Sequence, residues 1–297
     1  MEMSVLVTGG SGFIGCHLVD KLLEKGFSVR VFDTIQPSNE KVEWIKGDLL
    51  NEDDVLKACR DVETIFHLAA IADVNVALSH PELCLKVNEV GTLNVLRSAT
   101  ALEAERIVLA STIWVYGTAT GTITEETPLP PPDHIYTKTK IGQEHLLIAW
   151  EKQNGLPYTI LRYGIPYGPR MRSNMAIATF VRRAINKEPI TIFGDGNQGR
   201  NFIYTGDIAE GNVVAMKPQA KNQIVNIAGS EFVTINQIVE ALQKIFGELK
   251  IEHKPARPGD LVGAEISIEK AEKLLNWKPK TSFKEGLKKY IESTKTT

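Results

Sequence analysis

The sequence is poor in cysteine, and it has neither an excess of one charge nor a long apolar run. The three cysteines, Cys16, Cys59 and Cys84, lie far apart and form no CxxC or Cys/His pattern. We therefore expect neither a disulfide framework nor a zinc site, and a reducing, cytoplasmic location. No charged and apolar leader is evident, and no apolar run approaches the ~20 residues that a bilayer requires, so we expect a soluble protein without a membrane anchor.

The charge is almost balanced. Lysine and arginine number 34 and aspartate and glutamate 36, for a net charge of -2. This balance argues against nucleic acid as a partner, because nucleic-acid surfaces are rich in basic residues. The balance is compatible with a small anionic ligand, since a local cleft needs only a few arginines. The 297 residues, 43% of them hydrophobic, suffice for one or two cores.

Short β-branched runs alternate with helical patterns through the first half of the chain. That alternation predicts an α/β fold with a Rossmann-type, doubly wound parallel sheet. Beyond a strand that ends near Arg162, the spacing becomes less regular and indicates a smaller C-terminal α/β domain. We place the first domain at residues 1–165 and the second at 166–297, with part of 200–230 returning to the first. Helical patterns cover about 81–102, 134–153, 175–187, 234–247, 269–275 and 283–293.

A glycine-rich segment, VLVTGGSGFIG at residues 5–15, lies between a predicted strand and a predicted helix. In a dinucleotide fingerprint, Gly9 would permit the tight turn, Gly12 the approach of amides to a pyrophosphate, and Gly15 close helix packing. Asp33 follows Gly15 by 18 residues (33 minus 15), near the ~20 expected for the carboxylate that binds the ribose. Such a carboxylate repels a 2′-phosphate, so NAD is favoured over NADP. The alternative is a plain turn.

Tyr136 and Lys140 are four residues apart in HIYTKTK and would share one face of a helix. A tyrosine, with a reference pKa near ~10, is a weak base at neutral pH unless a lysine ammonium and a nicotinamide cation stabilise its phenolate. Alone, the pattern also describes a solvated helix face. Downstream of a dinucleotide fingerprint, it favours a catalytic pair.

At this point the chain resembles a family, the extended short-chain dehydrogenase/reductases that act on nucleotide sugars, known as the NAD-dependent epimerase/dehydratase family. The resemblance covers nearly the whole sequence, and the order and spacing of its motifs make it specific. It begins at TGGSGFIG (8–15) and includes Tyr136 with Lys140. The further stretches are GDL at 47–49, HLAA at 67–70, VNEVGTLNVL at 87–96, ASTIWVYG at 110–117, LRYGIPYGP at 161–169, FGDGNQGRNFIYTGDIA at 193–209, NIAG at 226–229 and RPGD at 257–260.

The resemblance implies a set of site residues and no metal. The catalytic set is Thr112, Tyr136 and Lys140. The NAD-binding residues are Gly9, Gly12, Phe13, Ile14, Gly15, Asp33, Asp48, Leu49, Leu68, Ala69, Ala70 and Asn88, with Tyr136 and Lys140. A nucleotide-diphosphate sugar would contact Thr112, Tyr136, Arg200, Arg257 and Asp260. The alternatives are surface salt bridges for the arginines, a turn for Asp48, a buried strand end for HLAA and a polar helix position for Asn88.

The resemblance also implies a reaction and an assembly. Oxidation at C4 of the sugar would give a transient 4-keto sugar. The family's dehydratases carry an Asp-Glu pair directly after the catalytic threonine, where this chain has Ile113 and Trp114, which cannot titrate. We therefore expect an isomerase, an NAD-dependent 4-epimerase of a UDP-hexose or UDP-hexuronate. The alternatives are a 4,6-dehydratase, a 4-ketosugar reductase and a non-catalytic nucleotide-binding regulator. A homodimer is expected through helices around 81–102 and 134–153.

Two positions carry narrower expectations. Trp114 is expected to fill the core, with packing under a sugar ring as the alternative. Many relatives have Arg-x-x-Asn before Tyr-Gly-Pro, with the asparagine reaching the diphosphate, whereas this chain has Ile165 at that position. We expect the backbone amide of Gly164 to substitute for it in part.

Overall fold

The computed structural model describes residues 4–256 and 263–295. The strands are β1 Ser4–Thr8, β2 Ser28–Asp33, β3 Glu43–Lys46, β4 Thr64–His67, β5 Arg106–Thr112, β6 Thr122–Ile123, β7 Tyr158–Tyr163, β8 Ile165–Tyr167, β9 Ile190–Phe193, β10 Gly199–Tyr204, β11 Gln223–Ile227, β12 Phe232–Thr234, β13 Ile251–Lys254 and β14 Glu265–Ile266. The helices are α1 Phe13–Glu24, α2 Glu52–Ala58, α3 Val74–Ser79, α4 Pro81–Leu85, α5 Gly91–Ala101, α6 Ile135–Asn154, α7 Ala176–Ile185, α8 Thr205–Val214, α9 Ile235–Phe246, α10 Glu269–Leu275 and α11 Phe283–Thr294.

A seven-stranded sheet in the order β11-β7-β5-β4-β1-β2-β3 forms the centre of the molecule. Each neighbouring pair of strands in this sheet is parallel, so the expected Rossmann-type α/β fold is confirmed. The chain runs outward from β1 through β2 to β3, then returns to the other side of β1 at β4. Loops that follow β1 and β4 therefore diverge and open a crevice at the carboxyl edge of the sheet.

The two faces of the sheet are covered by separate apolar clusters. Along β1, Val5 and Val7 belong to one cluster and Leu6 to the other, as the alternation of side chains along a strand requires. The first cluster includes residues of α1, α8 and α10, and the second includes residues of α2, α5 and α6. Because helices cover both faces, the central strands are continuous apolar runs.

Helices α7, α9 and α11 pack with the shorter strands around a third apolar cluster. Strand β11 returns from this half of the chain and pairs with β7 in register Gln223 to Thr159, and α8 lies against α1. The division into domains at residue 165 stays a prediction.

The helices predicted from the sequence begin and end within two residues of the observed bounds, with one difference. The stretch predicted as one helix over 81–102 contains a π-helical turn, Lys86–Val90, between α4 and α5. Among residues 4–256 and 263–295, no helix is both long and apolar enough to span a membrane.

Candidate active site

The loop between β1 and α1 wraps closely around its own backbone. Gly9 has a φ of +71°, and a Cβ on it would lie 2.7 Å from the Ala69 nitrogen. A Cβ on Gly15 would overlap the Gly9 carbonyl oxygen. Only glycine tolerates both constraints. The turn leaves Gly12 as the N-terminal boundary of α1, without a side-chain cap, so the first amides of this helix face the crevice.

Asp33, the last residue of β2, lies beside this loop. One carboxylate oxygen accepts the Ser11 amide at 3.0 Å, and the other accepts the Ile35 amide at 3.1 Å. The carboxylate is thus held next to the free amides of the α1 terminus. Uncapped amides for a pyrophosphate and a fixed carboxylate for a ribose hydroxyl fit a dinucleotide without a 2′-phosphate. We call residues 9–15 together with Asp33 the nucleotide cradle.

The stretch Leu68, Ala69 and Ala70 follows β4 directly and adjoins the cradle. The Ala69 amide donates to the Thr8 hydroxyl at 3.2 Å. Asn88, which is completely buried, accepts the Ile71 amide at 2.8 Å and donates to the Ile71 carbonyl at 3.1 Å. Asn88 therefore holds the chain that leaves β4, and its own contact with a cofactor stays a prediction.

Asp48 and Leu49 lie farther along the same edge. The Asp48 carboxylate accepts the Leu50 amide at 3.0 Å, and Leu49 is buried, with its carbonyl accepting from the Asn94 side chain at 2.9 Å. Phe13 and Ile14 begin α1 and pack against apolar clusters. Roles for these four residues in NAD binding also stay predictions.

Thr112, Tyr136 and Lys140 meet at the carboxyl end of β5. Thr112 ends that strand, which is buried over its whole length, and Tyr136 and Lys140 occupy the first turns of α6. The Lys140 ammonium donates to the Ala110 carbonyl at 2.9 Å, and the Thr112 side chain acts to lower the pKa of the Tyr136 phenol. Strand and helix thus place a hydroxyl, a phenol and an amine together, a group we call the catalytic corner.

Burial shifts both titratable groups of the catalytic corner. It raises the pKa of Tyr136 to about 12, against the opposing effects of the Thr112 hydrogen bond and the Arg172 charge. It lowers the pKa of Lys140 to about 8, against the opposing attraction of Glu144. Desolvation disfavours the charged form of each group. The phenol is therefore neutral near pH 7, and an added positive charge beside it would promote its ionisation.

The prediction that Trp114 fills the core is wrong. Its side chain is 44% exposed, whereas the neighbouring Ile113 is 9% exposed. The Trp114 amide donates to the Thr112 hydroxyl oxygen at 3.2 Å, which turns the indole outward beside the catalytic corner. The Trp114 ring lies 5.7 Å from that of His134, and His134 stacks on Tyr136 at 6.1 Å and 14°.

Sequence reasoning missed His134 and Glu144. His134 precedes α6 and caps it, since its Nδ1 accepts the Thr137 amide at 3.2 Å, and its polar character just before a helical pattern was the available signal. Glu144 lies one turn beyond Lys140 and is 2% exposed. Its spacing of four residues from Lys140 places it on the same helix face.

The expected substitute for a missing asparagine is also wrong. The Gly164 amide donates to the Ile227 carbonyl at 2.9 Å, so the return of β11 uses the donor that a diphosphate would need. A Cβ at Gly164 would lie 2.7 Å from the Asn201 carbonyl oxygen. This glycine accommodates close backbone packing.

The basic residues of the second half lie in different settings. Arg200, on β10, donates to the Gly199 carbonyl at 2.7 Å. Arg172 pairs with Asp73 at 3.0 Å. Arg257 and Asp260 lie outside the described residues. Substrate contacts for Arg200, Arg257 and Asp260 stay predictions.

No cluster of three or more histidine, cysteine or acidic residues in the described part of the chain has the arrangement of a metal site. The candidate functional groups of the site are those of the nucleotide cradle and the catalytic corner.

A parallel sheet, a glycine loop at its switch point and a tyrosine-lysine pair on one helix face define a dinucleotide-dependent α/β enzyme. The profile of the NAD dependent epimerase/dehydratase family matches residues 5–228. This chain belongs to that family. The resemblance inferred from the motifs is thereby confirmed, as is NAD as the cofactor.

Relatives of known name cover almost the whole chain. A putative UDP-glucose 4-epimerase from Methanocaldococcus jannaschii is 33% identical over 97% of this chain and 97% of its own length. The UDP-glucuronate 4-epimerase of Thermodesulfobacterium geofontis is 33% identical over 98% of this chain and 95% of its own. The structure of a UDP-glucuronic acid 4-epimerase from Bacillus cereus, in complex with UDP-glucuronic acid and NAD, has a TM-score of 0.91 and 32% identity, covering 99% of both chains.

Proposed function

We propose that this protein is an NAD-dependent 4-epimerase of a UDP-hexose or UDP-hexuronate. The observation that carries the proposal is the catalytic corner, in which Thr112, Tyr136 and Lys140 lie at the same edge of the sheet as the nucleotide cradle. The two residues after Thr112 are Ile113 and Trp114, and neither can serve as the acid or base that elimination of water requires. Two named 4-epimerases that match the chain end to end support the substrate class.

The cradle would hold the dinucleotide. The amides that follow Gly12 would bind the pyrophosphate, and Asp33 would accept the ribose hydroxyls. The chemistry that bound NAD supplies is reversible hydride transfer at C4 of the sugar. Leu68 to Ala70 would line the same crevice, because they follow β4 next to Gly9.

The catalytic corner would move the proton. Thr112 would hydrogen-bond the C4 hydroxyl, and the Tyr136 phenolate would take its proton and later return it. The Lys140 ammonium, fixed by the Ala110 carbonyl, would stabilise the phenolate by its charge. Since proton and hydride both return to the sugar, the enzyme ends each turnover unchanged.

The outward indole of Trp114 would form one wall of the sugar site, because it stands next to Thr112 with 44% of its surface exposed. An aromatic face packs well against the C–H groups of a hexose ring. Arg200, with Arg257 and Asp260, would contact the diphosphate, for which an arginine fork is well suited.

Product analysis separates the candidate activities. The purified protein is incubated with UDP-glucose, UDP-galactose, their N-acetyl forms and UDP-glucuronate, and the products are separated by chromatography. We expect interconversion of C4 epimers with at least one substrate and no net change in NADH. Loss of carbon dioxide, a 4-keto-6-deoxy product or stoichiometric consumption of NADH would assign a decarboxylase, a dehydratase or a reductase instead. Unchanged substrate in every reaction would favour a regulator.

We also propose a homodimer in which the stretch from α4 to α5 and helix α6 pack against their counterparts. The first stretch exposes Leu83 and Val90, which are 46% and 48% exposed. An ion pair of 2.6 Å between Glu89 and Lys138 joins it to α6. Light scattering should give twice the chain mass, and the double variant Leu83→Glu/Val90→Glu should give one chain mass. A monomeric wild-type protein would contradict the proposal.

A cytoplasmic location is proposed from the thiols. Cys16, Cys59 and Cys84 are buried and free, and a reducing compartment keeps them so. Fractionation of the producing cells, with a known cytoplasmic enzyme as marker, tests this.

A further inference from the structure

A buried ion pair lies beneath the catalytic corner. Glu144 on α6 and Arg162 on β7 have side chains that are 2% and 4% exposed. The guanidinium donates through two nitrogens to both carboxylate oxygens, at 3.1 Å from Nε and 2.7 Å from Nη2. This two-point geometry fixes the plane of the carboxylate as well as its distance.

The same carboxylate also binds β5. The Ser111 hydroxyl donates to Glu144 Oε1 at 2.5 Å. Ser111 stands between Ala110, whose carbonyl accepts the Lys140 ammonium at 2.9 Å, and Thr112. Two consecutive residues of the strand are therefore tied to two residues one turn apart on α6. These ties set the position of the helix against the end of the strand.

The Arg162 guanidinium extends this hydrogen-bond network away from Glu144. Its Nη1 donates to the Tyr116 hydroxyl at 3.0 Å, and that hydroxyl donates to Asn226 Oδ1 at 2.7 Å. Tyr116 ends the turn that follows Thr112, and Asn226 lies on β11. Glu144 is thus the point at which α6, β5 and β7 are joined, and the strand residue that it binds, Ser111, is the neighbour of Thr112.

We infer that Glu144 is a positioning residue of the reaction: through Ser111 and Arg162 it holds Thr112 opposite Tyr136, and its negative charge faces Lys140. This inference rests on the proposed epimerase activity. The sequence places Ser111 next to Thr112, and Glu144 is bonded to Ser111 and Arg162, so it acts through the catalytic corner.

The charges around Lys140 give this role an electrostatic signature. Glu144 faces it from its own helix, His67 from β4, and Cys84 from α4. Burial lowers the pKa of His67 to about 3, which leaves the imidazole neutral at working pH, and burial raises the pKa of the Cys84 thiol. The Glu144 carboxylate is therefore the negative charge that keeps Lys140 protonated.

The variant Glu144→Gln tests the inference because it preserves size and removes charge. We expect kcat to fall about tenfold or more, while KM for the sugar and Kd for NAD change less than about threefold. The alkaline limb of the kcat profile should move to lower pH by about one unit, because Lys140 loses the attraction that opposes its deprotonation. The control Glu151→Gln, farther along α6 and bonded to Asn222, should alter none of these quantities.

A second variant separates positioning from stability. A single substitution leaves Arg162 buried without its partner, whereas Glu144→Leu/Arg162→Met removes both charges and often restores stability. We expect this double variant to regain most of the Tm lost in Glu144→Gln, with kcat still low. Recovery of kcat together with Tm, or a kcat within about twofold of wild type in Glu144→Gln, would overturn the inference.

Two further measurements keep the test decisive. If Glu144→Gln does not fold, Ser111→Ala retains the ion pair and removes the strand-helix bond. It should lower kcat several-fold, and unchanged kcat would count against the inference. NMR titration of the Lys140 ε-carbon in the uncomplexed protein should show a lower pKa in Glu144→Gln, and an unchanged pKa would overturn the charge role. A wild-type protein inactive on every sugar nucleotide would reject the proposed function, while this titration still decides the role of Glu144.

Discussion

The nucleotide cradle and the catalytic corner share one edge of the sheet but are built from different chemistry. The cradle is made of main-chain contacts among glycines, where one added carbon at Gly15 would meet the Gly9 carbonyl. The corner is made of side chains from β5 and α6, two of which have pKa values shifted by burial. The function of the cradle therefore depends on its shape, and the function of the corner depends on the charges of its side chains. Added atoms should damage the cradle, and altered protonation should damage the corner.

The largest effect is expected from Tyr136→Phe, which removes the proton acceptor from the corner and leaves the cradle intact. Its kcat should fall by about 10²- to 10⁴-fold, while calorimetry should find the Kd for NAD within about twofold of wild type. Tyr290→Phe, a buried tyrosine in the third apolar cluster, serves as the control. A Tyr136→Phe enzyme with normal kcat would exclude the phenol as the base.

Lys140→Met should lower kcat by about 100-fold and stabilise the fold. Because the folded-state pKa of about 8 lies below the ordinary value of 10.5, the unfolded chain binds more protons between these values. Wild-type stability should therefore rise across that pH window, and the methionine variant should lack this rise. At pH 7 the variant should gain about 1 to 3 kcal/mol. Denaturant titrations at pH 7 and 10 measure both effects, and a less stable variant would contradict the account.

The pH dependence of kcat in the wild-type enzyme should reflect the same pKa of Lys140. Lys140 is charged below about pH 8, and its charge stabilises the phenolate, so kcat should decline as pH rises through that value. A profile that keeps rising to pH 10 would show that the ammonium is not required.

Gly15→Ala tests the shape of the cradle. The new methyl group would displace the Gly9 carbonyl, and such overpacking costs about 1 to 3 kcal/mol. NAD binding should weaken by about ten- to a hundredfold, with the pH dependence of kcat at saturating NAD unchanged. Gly26→Ala, where a Cβ meets open space but φ is +83°, should cost stability without altering NAD affinity. Equal affinities for NAD in the wild type, Gly15→Ala and Gly26→Ala would contradict the proposal that the nucleotide cradle binds NAD.

The smallest effect is expected from Trp114→Ala. Loss of the exposed indole should raise KM for the sugar nucleotide about three- to tenfold and leave kcat nearly unchanged, because the ring packs against substrate without joining the proton transfer. Steady-state kinetics with both C4 epimers measure this. A large fall in kcat at constant KM would instead show that Trp114 contributes to proton transfer in the catalytic corner.

The parts of the site that depend on local order could be predicted from the sequence. The glycine loop requires a strand, a turn and a helix in succession, and all three are encoded within residues 4–24. The pairing of Tyr136 with Lys140 follows from helical periodicity. The position of Asp33 after Gly15 follows from the combined length of one helix and one strand.

The rest depends on the register between distant elements. Glu144 and Arg162 pair because α6 packs across β5 and β7. The residues that flank each of them in the sequence do not indicate this pair. The Gly164 amide is used by Ile227, 63 positions later (227 minus 164). Trp114 points outward because Thr112 accepts its amide. Residue type alone indicates none of these arrangements, since each arises only after packing.

The return of β11 to the large sheet has a consequence for biosynthesis. Strand β7 ends at Tyr163, but its outer neighbour is completed only at Ile227, after the chain has built β8, β9, β10 and α8. On the ribosome, the nascent sheet therefore carries an open edge until this late strand emerges, and open edges recruit foreign strands. A fragment truncated at residue 165 would retain that edge permanently, so it should aggregate where a fragment that includes β11 stays dispersed.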